Sequence, residues 1–62
     1  PINDRQIWFL EELKQGKKLK SSDLAKRWSV SEKTAKRDIA FLQVNNLIDY
    51  KGSPKTRYYK VK

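Results

Sequence analysis

The chain has 62 residues, with 15 Lys and Arg against 7 Asp and Glu, so its formal net charge is +8. It has neither cysteine nor histidine, which excludes disulfides, thiolate or imidazole zinc sites, and Ser–His or Cys–His nucleophilic chemistry. The longest apolar run covers only residues 7–10, far short of the roughly 20 residues that cross a membrane. We therefore expect one small binding domain, with no enzyme activity, no cofactor, no metal and no membrane partner.

The chain begins at Pro1 and contains no methionine. We therefore expect residues 1–62 to be a single domain cut from a longer protein. No signal peptide is visible, so a cytoplasmic location is expected.

The charge is unevenly distributed along the chain. Residues 1–16 carry a net charge of −1, whereas residues 17–62 carry +9. A basic field this polarised attracts phosphate or an anionic membrane surface, or it is simply a solvated surface. The positions of the basic residues within the fold are needed to choose among these three explanations of the positive charge.

A first helix is predicted over residues 4–15. Asn3 followed by Gln6 is typical of a capping box at the start, and Gly16 is typical of the residue just beyond the end. The side chains expected on its inward arc are Ile7, Phe9, Leu10 and Leu13.

Two further helices follow after a short extended piece. Ser21 or Ser22 is expected to cap a helix over residues 23–28, and Ser31 to cap a third that ends near residues 44–46. The inward side chains expected are Leu24, Ala25 and Trp28 on the second helix, and Ala35, Ile39 and Leu42 on the third.

From Leu47 the apolar period changes to two. Residues 48–51 and 57–61 alternate as strands, and residues 52–54 carry a turn signal between them. On the second strand the alternation places Tyr59 and Val61 in the core and Tyr58 outside it. The predicted fold is α+β and mainly α: a winged helix-turn-helix of three helices followed by a two-stranded hairpin, the wing.

The segment from residue 24 to residue 42 resembles the helix-turn-helix of DeoR-type bacterial transcriptional regulators. The matching residues are Leu24-Ala25, Trp28, Val30-Ser31, Thr34, Arg37-Asp38-Ile39 and Leu42. A closely similar domain occurs at the C-terminus of some Fic-type and ATPase-type bacterial proteins. The resemblance covers roughly residues 4–62 and implies a DNA-binding domain with a double-stranded DNA partner. Its wing is not specifically DeoR-like.

The third helix departs from that family pattern at one position. DeoR relatives often carry Ile and then two Arg where this chain has Ala35-Lys36-Arg37. Lysine keeps a phosphate contact but lacks the fork that binds guanine through two hydrogen bonds. The resemblance therefore supports a fold more strongly than a particular DNA target.

Helical geometry puts three bases on the outward side of the third helix. With Ala35 set at zero, Lys36 lies at about 100°, Lys33 at about 160° and Arg37 at about 200°. Such a face suits the major groove, and hydroxyls in the first turn suit a phosphate. The full set of expected DNA contacts is Lys20, Ser21, Ser31, Lys33, Thr34, Lys36 and Arg37, with Lys51, Lys55 and Arg57 on the wing.

Two residues leave alternatives open. Asp38, at the margin of the core, either orients a DNA-contacting base or forms a structural ion pair, with Arg27 or Lys26 as partner; we favour the ion pair. Trp8 lies beside the main stripe of the first helix, and either packs on the wing strands or is exposed as a protein-binding face.

Two other functions compete with DNA binding. The same fold can serve as a protein-interaction or regulatory module attached to a larger bacterial protein, and the first helix with Trp8 is then the candidate face. Structured RNA is a third and weaker candidate, because the same bases would serve it.

Overall fold

The computed structural model describes residues 2–52 and 58–62; Pro1 and residues 53–57 lie outside that description. Three helices precede a two-stranded antiparallel sheet, as the winged helix-turn-helix prediction requires. The elements are α1 (Asp4–Lys14), α2 (Ser21–Trp28), α3 (Glu32–Val44), β1 (Ile48–Lys51) and β2 (Tyr58–Val61). In the described part of the chain, no helix has the length and apolar character that a membrane span requires.

Both predicted ends of α1 are confirmed. The Asn3 side chain accepts from the Gln6 amide at 2.8 Å, and the Gln6 side chain accepts from the Asn3 amide at 2.8 Å. This reciprocal capping box satisfies two amides at the helix start. At the other end Gly16 adopts φ +86°, a left-handed conformation that glycine enters without the clash a side chain would cause.

The inward face of α1 differs from the prediction at two positions. Phe9 and Leu13 are buried as expected, but Ile7 is 43% exposed, because it lies about 160° around the helix from Phe9. Gln6 is buried instead, and its side-chain amide donates to the backbone carbonyl of Asp38 at 3.1 Å. A polar side chain is tolerated there because both of its polar atoms are hydrogen-bonded.

The predicted serine cap of α2 is wrong. The helix starts at Ser21, with Lys20 as its N-cap residue, and neither serine side chain caps it. Asp23 reaches back three residues instead, and its carboxylate accepts from the Lys20 amide at 2.7 Å. An acid in the first turn also interacts favourably with the positive end of the helix dipole, which stabilises this arrangement.

The predicted start and core stripe of α3 are confirmed. The Ser31 hydroxyl accepts from the Thr34 amide at 3.2 Å. Ala35, Ile39 and Leu42 are at most 1% exposed. The helix ends at Val44, and the chain reverses at Asn46, whose φ of +59° is left-handed, as asparagine tolerates.

The core joins all three helices to β1. Its fully buried large side chains are Phe9, Leu24, Ile39, Leu42 and Ile48. Trp28, predicted to be a core residue, is half-buried and packs at the edge of this cluster. The wing is therefore anchored to the helices rather than being a free hairpin.

The strands pair in the register Ile48↔Val61 and Tyr50↔Tyr59. Tyr59 packs edge-on against Phe9, with ring centroids 5.9 Å apart. Tyr59 and Val61 are half-buried against the core, close to the prediction. Ser53, Pro54 and Arg57, at the predicted turn and strand start, lie outside the described residues.

The predicted exposure of Tyr58 is only partly right. Its side chain is half-buried, and the Lys18 ammonium lies over its ring at 5.0 Å from the centroid. The aliphatic part of a lysine side chain can cover an aromatic ring while its ammonium group interacts with the face of the ring. Lys18 therefore reduces the solvent exposure of Tyr58.

Candidate nucleic-acid interface

A tight turn between α2 and α3 determines how the third helix is presented. Ser29 adopts φ +52°, and the following Val30 amide donates to the Ala25 carbonyl at 3.0 Å. Val30 packs against the core, and the fully buried Ala35 faces inward one turn into α3. A small residue at that position lets the two helices pack closely, which leaves the opposite side of α3 open to solvent.

Three bases occupy that open side of α3. Lys33, Lys36 and Arg37 are all exposed, as helical geometry predicts. Within residues 2–52 and 58–62, none of them has an acidic partner in an ion pair. No carboxylate of these ranges therefore lies within ion-pair distance of them, and their charged groups are available to an external anion.

The first turn of α3 adds hydrogen-bonding groups beside these bases. The Ser31 hydroxyl, which accepts from the Thr34 amide, also donates to the Thr34 hydroxyl at 3.2 Å. The amides of Glu32 and Lys33 precede the first intrahelical hydrogen bond and have no acceptor among the described residues. A helix start of this kind attracts phosphate, although the Glu32 carboxylate in the same turn opposes it.

Asp38 belongs to the interior and is a structural residue. Its Oδ2 lies 2.6 Å from Arg5 Nε, and its Oδ1 accepts from Arg5 Nη2 at 3.3 Å and from Asn3 Nδ2 at 2.9 Å. The ion pair was expected, but the predicted partners Arg27 and Lys26 are wrong. Periodicity along α3 does not reveal which residues of α1 lie opposite Asp38, so the sequence could not identify Arg5.

The Arg5–Asp38 pair also determines the charge state of the carboxylate. Burial alone would raise the pKa of Asp38, but the hydrogen bonds from Arg5 and Asn3 and the charge of Arg5 outweigh burial and lower it. The pKa of Arg5 is raised by its hydrogen bond to Asp38. Asp38 is therefore ionised, and its negative charge is balanced by the positive charge of Arg5. It does not reduce the positive charge of the outward face of α3.

The other residues predicted to contact DNA lie outside α3, at the start of α2 and on the wing. The Lys20 side chain is exposed at the start of α2, whereas Ser21 is half-buried. Lys51 is exposed on β1, with its Nζ 4.0 Å from Asp49 Oδ2. Lys55 and Arg57 lie outside the described residues.

Arg27 joins the two tryptophans and was missed at the sequence level. Its guanidinium carbon lies 5.8 Å from the Trp8 ring centroid and 5.2 Å from that of Trp28. Trp8 is half-buried and packs against the core. Full exposure of Trp8 is therefore wrong, since its described neighbours are the core and Arg27. Packing of Trp8 on the wing strands stays a prediction.

No group of three or more Asp, Glu, His or Cys residues in the described ranges is placed to hold a metal ion. The candidate interface itself presents the lysine and arginine side chains of α3 together with hydroxyl and amide donors at its start. Such donors bind phosphate and base edges.

A family model described as "HTH domain" matches residues 5–58, which is most of the chain. This range begins at the second residue of α1, includes α2, α3 and β1, and ends at the first residue of β2. Comparison with curated proteins gave no match, and neither did comparison with solved structures.

Proposed function

The chain belongs to the HTH domain family, a DNA-binding family that is typically not enzymatic, and from this premise we propose that it binds double-stranded DNA in transcriptional regulation. In this proposal α3 enters the major groove, while the basic wing lies on the phosphate backbone or in the minor groove. No catalytic role is proposed. The resemblance of residues 24–42 to DeoR-type regulators supports the proposal that the parent protein is a bacterial regulator.

One observation carries this proposal: Lys33, Lys36 and Arg37 share the solvent side of α3 without an ion-pair partner among the described residues. Two other bases are instead held by carboxylates within the fold, Arg5 by Asp38 and Lys17 by Glu12. Binding to phosphates would release the counterions that otherwise surround the unpaired charges, which is the main source of affinity for DNA.

The rest of the proposed interface surrounds α3. Ser31 and Thr34 hold a phosphate at the start of the helix, and Lys20 and Ser21 approach the backbone at the start of α2. Lys51 contacts the backbone from the wing, and Lys55 and Arg57, nearest to the predicted turn, follow the minor groove. Because Lys36 lacks the planar fork of arginine, base selection rests more on Arg37.

A titration of the 62-residue chain against a labelled DNA duplex tests the proposal. If about six phosphates are engaged, the logarithm of the affinity should fall with the logarithm of salt with a slope of about −5. Unlabelled duplex RNA should compete more weakly than duplex DNA, because side chains cannot read the deep, narrow major groove of A-form RNA. Absence of binding at low salt would refute the proposal.

A further inference from the structure

A small cavity lies at the opposite end of α1 from the Arg5–Asp38 pair, between the end of that helix and β2. Its volume is about 150 Å³. The lining consists of Gly16, three apolar or aromatic residues and three lysines: Leu13, Tyr58, Tyr59, Lys17, Lys18 and Lys60. No residue of α3 contributes to it, so the cavity is separate from the proposed DNA-reading helix.

The lysines leave positive charge at the rim. Lys17 is neutralised by Glu12, whose Oε1 lies 2.7 Å from its Nζ. Lys18 and Lys60 have no acidic partner among the described residues, although Lys18 lies over the Tyr58 ring. Leu13, Tyr58 and Tyr59 give the cavity an apolar floor. Lys18 and Lys60 beside it form no ion pair within the described residues, although Lys60 lies opposite Asp49 in the sheet register.

Three consecutive residues of β2, Tyr58, Tyr59 and Lys60, line the same cavity, and Tyr59 belongs to the outer edge of that strand. The Lys62 amide donates to the Leu47 carbonyl at 3.2 Å in the register of the sheet. In an antiparallel sheet, hydrogen-bonded pairs of residues alternate with pairs that are not hydrogen-bonded. Residues 58, 60 and 62 therefore direct their backbone N–H and C=O groups toward β1, while Tyr59 and Val61 direct theirs toward the opposite edge of β2. Within the described residues no strand pairs with that edge. Extended peptides bind edges of this kind through main-chain hydrogen bonds.

We propose that this groove binds an acidic, extended segment of a protein partner. One aromatic or branched side chain of the segment enters the cavity, and neighbouring carboxylates pair with Lys18 and Lys60. A cavity of about 150 Å³ accommodates a benzene-sized ring, whereas a drug-sized ligand needs about 300 Å³ or more. The apolar floor offers no gain to a sugar–phosphate backbone, which favours a peptide over nucleic acid. This site is independent of the DNA-binding proposal.

The test uses a fluorescein-labelled peptide, Glu-Asp-Phe-Asp-Glu with blocked ends, titrated into the 62-residue chain. Lys60→Glu should weaken peptide binding about fivefold, since an exposed charge pair contributes up to about 1 kcal/mol. Lys62→Glu makes the same change of charge two residues away and outside the cavity lining, so it should weaken binding less than twofold. Lys36→Glu, on α3, should weaken DNA binding and leave the peptide affinity unchanged.

Three outcomes would overturn the proposal. The first is equal binding of a peptide in which Phe is replaced by Ser, because the cavity would then play no part. The second is equal loss of peptide affinity with Lys60→Glu and Lys62→Glu, which would indicate general attraction between charges. The third is a loss of DNA affinity with Lys60→Glu as large as with Lys36→Glu, which would assign the groove to nucleic acid. Thermal unfolding of each variant shows that it is folded.

Discussion

Arg5 and Asp38, 33 residues apart in the chain, form an ion pair with Nε 2.6 Å from Oδ2 that ties the start of α1 to the middle of α3. The Asp38 side chain is 8% exposed and that of Arg5 31%. Since α3 carries the proposed DNA-reading bases on its other side, this pair fixes the orientation of the helix without using any of them.

Asp38→Asn should lower the free energy of unfolding by about 2 kcal/mol, because a buried carboxylate and its charged hydrogen bonds are lost. Arg5→Lys, which keeps the charge but loses the two-point contact, should cost less. Urea unfolding of both variants at neutral pH measures this. Equal stability of Asp38→Asn and the parent chain would contradict a structural role for the pair.

The contribution of Asp38 should also depend on pH. Its pKa in the fold lies below the ordinary value of 3.8, so the stabilisation is fully present above that value and is lost as the pH falls through the lowered pKa. The difference in unfolding free energy between the parent chain and Asp38→Asn should therefore be constant from about pH 7 to about pH 5 and should shrink toward about pH 2. A difference that grows on acidification would contradict this.

The turn between α2 and α3 offers two substitutions with opposite effects. Ser31→Ala removes the side chain that caps α3 and should cost about 1 kcal/mol. Ser29→Gly relieves a left-handed backbone position and should raise stability by about 0.5 kcal/mol. Thermal or urea unfolding of both variants measures whether each substitution raises or lowers the free energy of unfolding. A stabilising Ser31→Ala would show that the cap contributes nothing.

Arg27 should contribute to stability and not to DNA binding. Arg27→Gln removes a cation lying within 6 Å of both indole centroids and should cost about 0.5–1 kcal/mol, because the residue is exposed. The emission spectrum of the two tryptophans should change, while the affinity for duplex DNA should fall by less than the same substitution at Arg37 produces. A larger loss of affinity at Arg27 would move the interface to α2.

The sequence predicts the local features of this fold well and the long-range pairs poorly. The Asn3–Gln6 box, the Ser31 cap and the Ala35–Ile39–Leu42 stripe are confirmed, because each depends on residues within one helix. The Asp38 partner was predicted wrongly, because contacts between helices are not encoded in the periodicity of either one. Arg27 between the tryptophans was missed for the same reason.

The prediction of a serine cap for α2 was wrong for a different, local reason. Two serines favour a hydroxyl cap, but the helix starts at Ser21 with Lys20 as its N-cap residue, so neither serine occupies the cap position. Asp23 instead accepts from the Lys20 amide, and its carboxylate is attracted by the helix dipole. For the candidate interface, exposure of the bases on α3 follows from helical geometry. Which of them touch DNA, and where Lys55 and Arg57 lie, remain predictions that depend on the complex.

The individual bases of α3 can be compared with a base outside the interface. Lys36→Gln should reduce the slope of log affinity against log salt by about 1, since one phosphate contact is lost. Lys14→Gln, an equal change of charge at the end of α1, should leave the slope nearly unchanged. Equal effects of the two substitutions would indicate attraction by net charge alone.

Amide chemical shifts, recorded by NMR as a DNA duplex is added, test the central claim most directly. The account predicts that the largest changes fall on the start and outward face of α3, from Ser31 to Arg37, with smaller changes at Lys20, Ser21 and Lys51. The buried stripe of the same helix, including Ile39 and Leu42, should move little. Changes confined to α1 and β2, with Lys33, Lys36 and Arg37 unmoved at saturating DNA, would contradict the account.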